Sequence, residues 1–282
     1  MAHEISLPAS ASALTVKGLK KSYGGLYATR DVQLAIQAGH VHAIIGPNGA
    51  GKTTLLSLLS GALAADAGEI FLFGEAMHER AEQARVSAGL TRSFQITSVF
   101  DELSVLQNLQ VAVQRQQHAG FGFFRSSARD QAAKDAALAV ARRVGLEKSA
   151  HQLSSQLSHG ARRRLDVGLA IACKPRVLLM DEPMAGMGHE ESGEMIELIQ
   201  SLKKELTVVL VEHDMDAVFA LADRITVLVQ GAVLATGSVD EIRANAEVRL
   251  AYLGEDESEH ESRHEGRHES AGSKTAHSEE VP

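Results

Sequence analysis

The run Gly46-Pro47-Asn48-Gly49-Ala50-Gly51-Lys52-Thr53 sets small residues, a lysine and a hydroxyl in the order needed to hold a polyphosphate. Small side chains let successive backbone N–H groups curl around phosphate oxygens, and a helix that begins at Gly51 would turn its positive end toward them. Lys52 would add a point charge at the β- and γ-phosphates, and Thr53 a hydroxyl for Mg²⁺. The expected nucleotide contacts are Gly46, Pro47, Asn48, Gly49, Ala50, Gly51, Lys52, Thr53 and Thr54. A second run, Val177-Leu178-Leu179-Met180, ends on Asp181 and Glu182. Asp181 suits the Mg²⁺ shell through a bound water, and Glu182 suits polarising a water for attack on phosphorus. The chemistry these two runs point to is transfer of a phosphoryl group from ATP to water.

Such groups work only if strands and loops deliver them to one place. Val41 to Ile45 is a short β-branched run ending in the glycine-rich turn, and Thr53 to Ser60 reads as a helix closed by Gly61. Val177 to Met180 and Val208 to Val211 are further apolar runs ending in acidic or histidine residues, the pattern of parallel strands with chemistry at their C-terminal ends. Between them Glu190 to Glu205 has the amphipathic pattern of a crossover helix. Ile225 to Leu228 and Val233 to Ala235 flank Gln230-Gly231, a hairpin signal. Before all of these, Leu14 to Ile36 reads as antiparallel strands around Tyr23-Gly24-Gly25. The stretch from about Val99 to Leu157 is rich in Gln and Ala and predicts an inserted helical lobe, in which Ser127 to Asp130 would form a capping box opening a helix toward Gly145.

Composition narrows the class. Hydrophobic residues make up 44% and charged residues 23% of the 282, so a large core is available. No apolar run reaches the roughly 18 to 20 residues of a membrane-spanning helix, and Met1 to Leu14 lacks the pattern of a secretory signal, so cytoplasmic residence is expected. The single cysteine, Cys173, lies in the apolar run Leu169 to Cys173 and is expected in the core. The net charge of −8 is concentrated in Glu255 to Pro282, with nine acidic against three basic residues. The rest is nearly neutral, so no nucleic-acid-binding surface is expected.

Beyond these two runs, the chain from about Leu14 to Gly254 resembles the ATPases of ABC transporters. Leu157-Ser158-His159-Gly160 resembles their signature motif, His213 their switch histidine, Gln95 their glutamine loop and Tyr23 their adenine-stacking aromatic. The resemblance implies an α/β fold of the P-loop ABC type: a mainly parallel sheet core, an N-terminal antiparallel β subdomain and an inserted helical subdomain over about residues 99–165. It implies that Glu182, His213, Lys52 and Gln95 carry catalysis, with Gln95 also reaching the Mg²⁺ shell beside Thr53 and Asp181. Ser158 and Gly160 would serve an ATP bound to a facing subunit, because one phosphate loop alone leaves the γ-phosphate half exposed. Two departures, His159 with Ala161 in the signature and Gly188 in Met184-Ala185-Gly186-Met187-Gly188, fall on residues that would face that partner.

Ser93-Phe94-Gln95 with Phe100, Leu103-Ser104-Val105 and Asn108-Leu109, then Glu212-His213-Asp214-Met215 and Ala251-Tyr252-Leu253-Gly254, resemble the larger ATPase of branched-chain amino acid importers. That implies a second ATPase subunit, two integral membrane permeases and, indirectly, a solute-binding protein as partners, with this chain peripheral on the inner membrane face. Importers of urea or of aromatic and amide solutes would share every catalytic residue, and a soluble ABC ATPase outside transport is the alternative of a different class, though such proteins usually carry a long coiled-coil insertion or two fused ATPase units and this sequence shows neither. Residues 1–13 are expected to be an extension to the ATPase domain, residues 14–254. Residues 255–282 are expected to be a disordered acidic tail whose His260, His264 and His268 are mainly solvated.

Overall fold

A computed structural model describes residues 12–93, 99–117 and 127–251. The chain opens with β1 (Ser12–Tyr23), β2 (Leu26–Gln37) and β3 (Val41–Ile45), then α1 (Lys52–Ser60). Next come β4 (Ala67–Leu72), β5 (Glu75–Ala76), α2 (Glu82–Ser87) and β6 (Leu90–Arg92). Three helices follow, α3 (Val105–Gln117), α4 (Ser127–Arg143) and α5 (His159–Ala172). The remainder alternates: β7 (Val177–Asp181), α6 (His189–Leu202), β8 (Thr207–Val211), α7 (Met215–Leu221), β9 (Arg224–Val229), β10 (Ala232–Gly237) and α8 (Val239–Ala244).

Two sheets result. One is antiparallel in the order β2-β1-β4-β5, and the other runs β10-β9-β3-β8-β7-β6. In the second, β9, β3, β8, β7 and β6 are parallel and β10 closes one edge as the antiparallel arm of a hairpin. Every residue of β3, β7 and β8 is buried, as parallel strands covered on both faces require. The expected α/β architecture is therefore present. The β10 hairpin turns through Gln230 and Gly231, both at positive φ, as its sequence predicted.

Some details differ from the sequence reading. The antiparallel sheet draws its third and fourth strands from beyond α1, so β1 pairs with β4 across a long interval that local pattern does not reveal. Helix α6 stops at Leu202, short of Glu205, where the chain turns into β8. Helix α4 begins at Ser127, where the sequence expected a helix to open; the side chains that would form its capping box fall outside the described residues. Cys173 is half-buried at the C-cap of α5, with its thiol directed at the Leu169 carbonyl, and is not a core residue. The first strand already includes Ser12 and the buried Ala13, so the ordered domain begins two residues before the expected boundary at residue 14, while residues 1–11, Gln95 and the histidine-rich tail lie outside the described residues.

The largest apolar cluster joins α3, α4 and α5 to α6 and to Leu178, Met180, Val208 and Leu210 of the parallel sheet. A second fills the space between the two sheets around α1. Helix α5 is thus anchored along its length, and one of its buried groups is a carboxyl. Burial raises Asp166 from 3.8 to about 7 against the opposing pull of Arg163 and Arg162. Its Oδ2 is buried without a hydrogen-bond partner. A carboxyl whose folded pKa exceeds its unfolded value stabilises the fold fully below the unfolded pKa, and that contribution fades as pH rises through the folded pKa. Between about pH 4 and 7 the wild type should lose on the order of 1 kcal/mol per pH unit from this group alone. Urea denaturation of Asp166→Asn at pH 5 and pH 7.5 is expected to show the variant gaining on the wild type at the higher pH; parallel pH dependences would show that Asp166 is ionised when folded.

Candidate functional site

Parallel register brings the chemistry to one edge of the sheet. Ile44, Val211 and Asp181 lie in one row across β3, β8 and β7, so the ends of these strands are spaced by strand separation, about 4.8 Å each. The glycine-rich loop leaves β3, Asp181 and Glu182 end β7, and Glu212 and His213 follow β8 between them. β6 adds Arg92 on the far side of β7.

Gly46 and Gly51 let the loop close against its neighbours. A Cβ on Gly46 would lie 2.0 Å from the Leu228 carbonyl oxygen, and one on Gly51 would lie 2.0 Å from that of Ala28. No other residue fits either position, and both sit at positive φ. The contact with Ala28, with Arg30 N–H donating to Gly231 and Gly231 N–H to Ala50, sets the β1–β2 hairpin beside the loop. Tyr23, at the hairpin tip, is half exposed, with the Lys21 ammonium 5.7 Å from its ring centre. It is therefore a surface aromatic, and not part of the core.

Lys52 is buried at the first position of α1. Its ammonium donates to the Gly46 and Pro47 carbonyls, the latter at 3.0 Å, so it lies across the mouth of the loop. A Cβ on Gly49 would meet no atom within 4 Å, so the loop is open at that point. Together with the N-terminus of α1 this is a cradle for phosphate oxygens.

Asp181 has a fully buried side chain. Its Oδ2 accepts from Arg92 Nη2 at 2.8 Å, and its Oδ1 is buried with no hydrogen-bond partner. Burial raises its pKa, while Arg92 and, more weakly, Lys52 pull it down. An orphaned carboxylate oxygen beside the hydroxyl-bearing start of α1 fits a hard divalent cation, which takes oxygen ligands and would satisfy it. Arg92 was not singled out by sequence. Its guanidinium also donates to Ser57 on α1 at 2.9 Å, tying α1, β6 and β7 together. Removing one partner of a buried pair typically costs 3 to 5 kcal/mol. Arg92→Ala is therefore expected to lower folding stability by about 3 kcal/mol in urea titrations, and Arg92→Lys to restore only part, since lysine cannot bridge two acceptors with a planar fork. A change within 0.5 kcal/mol, on the order of a neutral surface substitution, would deny the bridge its structural weight.

Glu182 sits at φ 48, a left-handed conformation unusual for glutamate, fixed by its N–H donating to Val211 at 2.8 Å. Its Oε1 lies 3.8 Å from His213 Nδ1. Both side chains reach solvent. Beneath them Glu212 is buried and accepts from the N–H groups of Met184 at 3.0 Å and His213 at 3.1 Å. Burial raises its pKa, and these backbone donors lower it. The sequence reading used Glu212 only as part of a subfamily pattern. The structure makes it the clip between the segment after Glu182 and the segment after β8.

Ser158 is the N-cap of α5, its Oγ accepting from the Ala161 N–H at 3.2 Å. Ser158 Oγ and the Gly160 N–H both donate to Glu191 Oε1, at 2.9 and 3.2 Å. His159 lies against Gly186, where an added Cβ would be 3.5 Å from the ring, so the bulky signature residue packs on its own chain. Gly188 is the N-cap of α6, with no side-chain cap.

Residues 29–185 match the model of the ABC transporter family, more than half of the chain. The protein belongs to the ABC transporter ATPase family. A second model, branched-chain amino acid ATP-binding cassette transporter, matches residues 232–258. The chain is 38% identical over 249 residues to the high-affinity branched-chain amino acid transport ATP-binding protein LivG of Salmonella typhimurium, covering 86% of this chain and 98% of that one. BraF of Pseudomonas aeruginosa, which carries the same description, is 37% identical over the same shares. Among solved structures, the ADP conformation of the cassette MJ1267 superposes with a TM-score of 0.74 at 24% identity, over 86% of this chain and 99% of that one. Structure cbiO1 of Clostridium perfringens, part of the transporter complex cbiONQ, does so at 0.71 and 26%, over 87% and 99%. The resemblance drawn from the phosphate loop and signature thus holds for the family and the fold. Among the described residues no helix is long and apolar enough to cross a membrane.

Proposed function

We propose that this ABC ATPase powers import of branched-chain amino acids or closely related small solutes, working with a second ATPase subunit and two membrane permeases fed by a solute-binding protein. The observation that carries this reading is that likeness to LivG and BraF spans nearly their whole length and continues past the catalytic strands into residues 232–258. The phosphate loop and acidic strand alone would fit any member of the family.

Within this reading Lys52 and the loop amides bind the ATP phosphates, Thr54 supports them, and Tyr23 stacks on the adenine. Thr53, Gln95 and, through water, Asp181 hold Mg²⁺, which when bound neutralises charge on the β- and γ-phosphates. Glu182 takes the proton of the attacking water, and His213, 3.8 Å away, orients it. Ser158 and Gly160 face an ATP held by the partner. Phe100, exposed directly after the segment containing Gln95, and Val111, exposed on α3, supply apolar surface for docking on a permease. Docked there, the chain would sit on the cytoplasmic face of the membrane.

The test is transport in vesicles that hold the full assembly with ATP inside. ATP-dependent uptake of leucine, isoleucine or valine supports the reading. Uptake of urea or an aromatic amide with no competition by leucine overturns the solute assignment while leaving the ATPase intact.

A further inference from the structure

The start of α5 offers two outward hydrogen-bond donors, Ser158 Oγ–H and Gly160 N–H, and both are engaged by one oxygen of Glu191 from the first turn of α6. A third donor, the Gly188 backbone N–H, reaches the same carboxylate. Capping explains only part of this arrangement: Glu191, the third residue of α6, reaches back to the Gly188 N–H as a cap of its own helix, whereas on α5 Ser158 already satisfies the Ala161 N–H without it. Core packing does not require it, because Glu191 is only half-buried, at the surface. What the three donors and the helix N-terminus share is an affinity for anions. A carboxylate oxygen and a phosphate oxygen are interchangeable acceptors at such a place, and a single hydroxyl proton and a single N–H cannot serve both. Steric fit agrees: a Cβ on Gly160 would lie 2.5 Å from the Glu191 carboxyl carbon, so only glycine leaves room for that acidic group.

We infer that Glu191 is an internal stand-in for the partner's γ-phosphate, holding the signature donors in the open chain and yielding them when nucleotide arrives on the facing subunit. The inference rests on the reading above that Ser158 and Gly160 serve a nucleotide bound by the partner. Its consequence is a threshold. ATP on the partner must displace a tethered carboxylate before the two subunits close, so closure requires more ATP than an empty signature would. Glu191 does not touch the reacting atoms; it acts through Ser158 and Gly160.

A test on the full chain alone, without partner or nucleotide, uses inorganic phosphate as the probe. In ¹⁵N-labelled protein the Gly160 amide resonance reports the contact directly. Millimolar phosphate should leave this resonance nearly still in the wild type. In Glu191→Ala it should move saturably, with an apparent affinity at least about tenfold higher, the scale of a hydrogen bond to a charged group. Glu191→Gln, which keeps shape and loses charge, should fall between the two, and it carries the test if the alanine variant does not fold. Equal phosphate response in the wild type and both variants would overturn the inference while leaving the signature an anion site. No response in any of them would overturn the inference together with the reading on which it rests.

Discussion

Glu182→Gln is expected to slow ATP turnover roughly 10²- to 10⁴-fold while ATP binding stays at wild-type strength, the range attributed to a positioned general base. The amide has the shape of the carboxylate but cannot accept a proton from water. Nothing in the fold depends on the lost charge: the left-handed backbone at this position is fixed by the N–H to Val211, which the variant retains. His213 stays 3.8 Å away, so the variant also asks whether it can take over as base. Single-turnover measurements with labelled ATP would read binding and hydrolysis separately. Turnover within a few fold of wild type would transfer the role of base to another group, with His213 the first candidate.

Lys52→Ala should behave differently, losing binding and turnover together, with kcat/KM falling roughly 10²-fold or more. The ammonium is the positive side chain built into the mouth of the loop, and it holds the Gly46 and Pro47 carbonyls that shape that mouth. Its removal both takes away the charge that meets the phosphates and loosens the loop. Equilibrium binding of a fluorescent ATP analogue, compared between Lys52→Ala and Glu182→Gln, separates the two roles. Tight binding by Lys52→Ala would show that the loop amides and the helix end suffice.

What could be read in advance was what depends on neighbours in sequence. The phosphate loop, the strand before it, the helix after it and the acid pair on β7 are each local patterns with a tight physical requirement, and the structure reproduces them nearly residue for residue. The long-range features were not legible in this way. The pairing of β1 with β4 links residues on either side of the whole phosphate loop and α1, and no periodicity encodes it. Arg92 shows no motif of its own, and only the register of β6 on β7 brings it to Asp181. Glu191 reads as an ordinary acidic residue in the first turn of a helix, which it also is. Its contact with α5 arises because α5 and α6 pack together.

The left-handed backbone at Glu182 sets fold and chemistry against each other. An L-residue held there costs about 1 kcal/mol, and glycine would not incur that cost. Selection for heat resistance alone would therefore drift toward glycine at this position and arrive at a sturdier protein that binds ATP and leaves it whole. A glutamate where glycine would be the more stable choice fits the proposed role in turnover, and any stabilised version of this protein should be built around position 182, leaving it untouched.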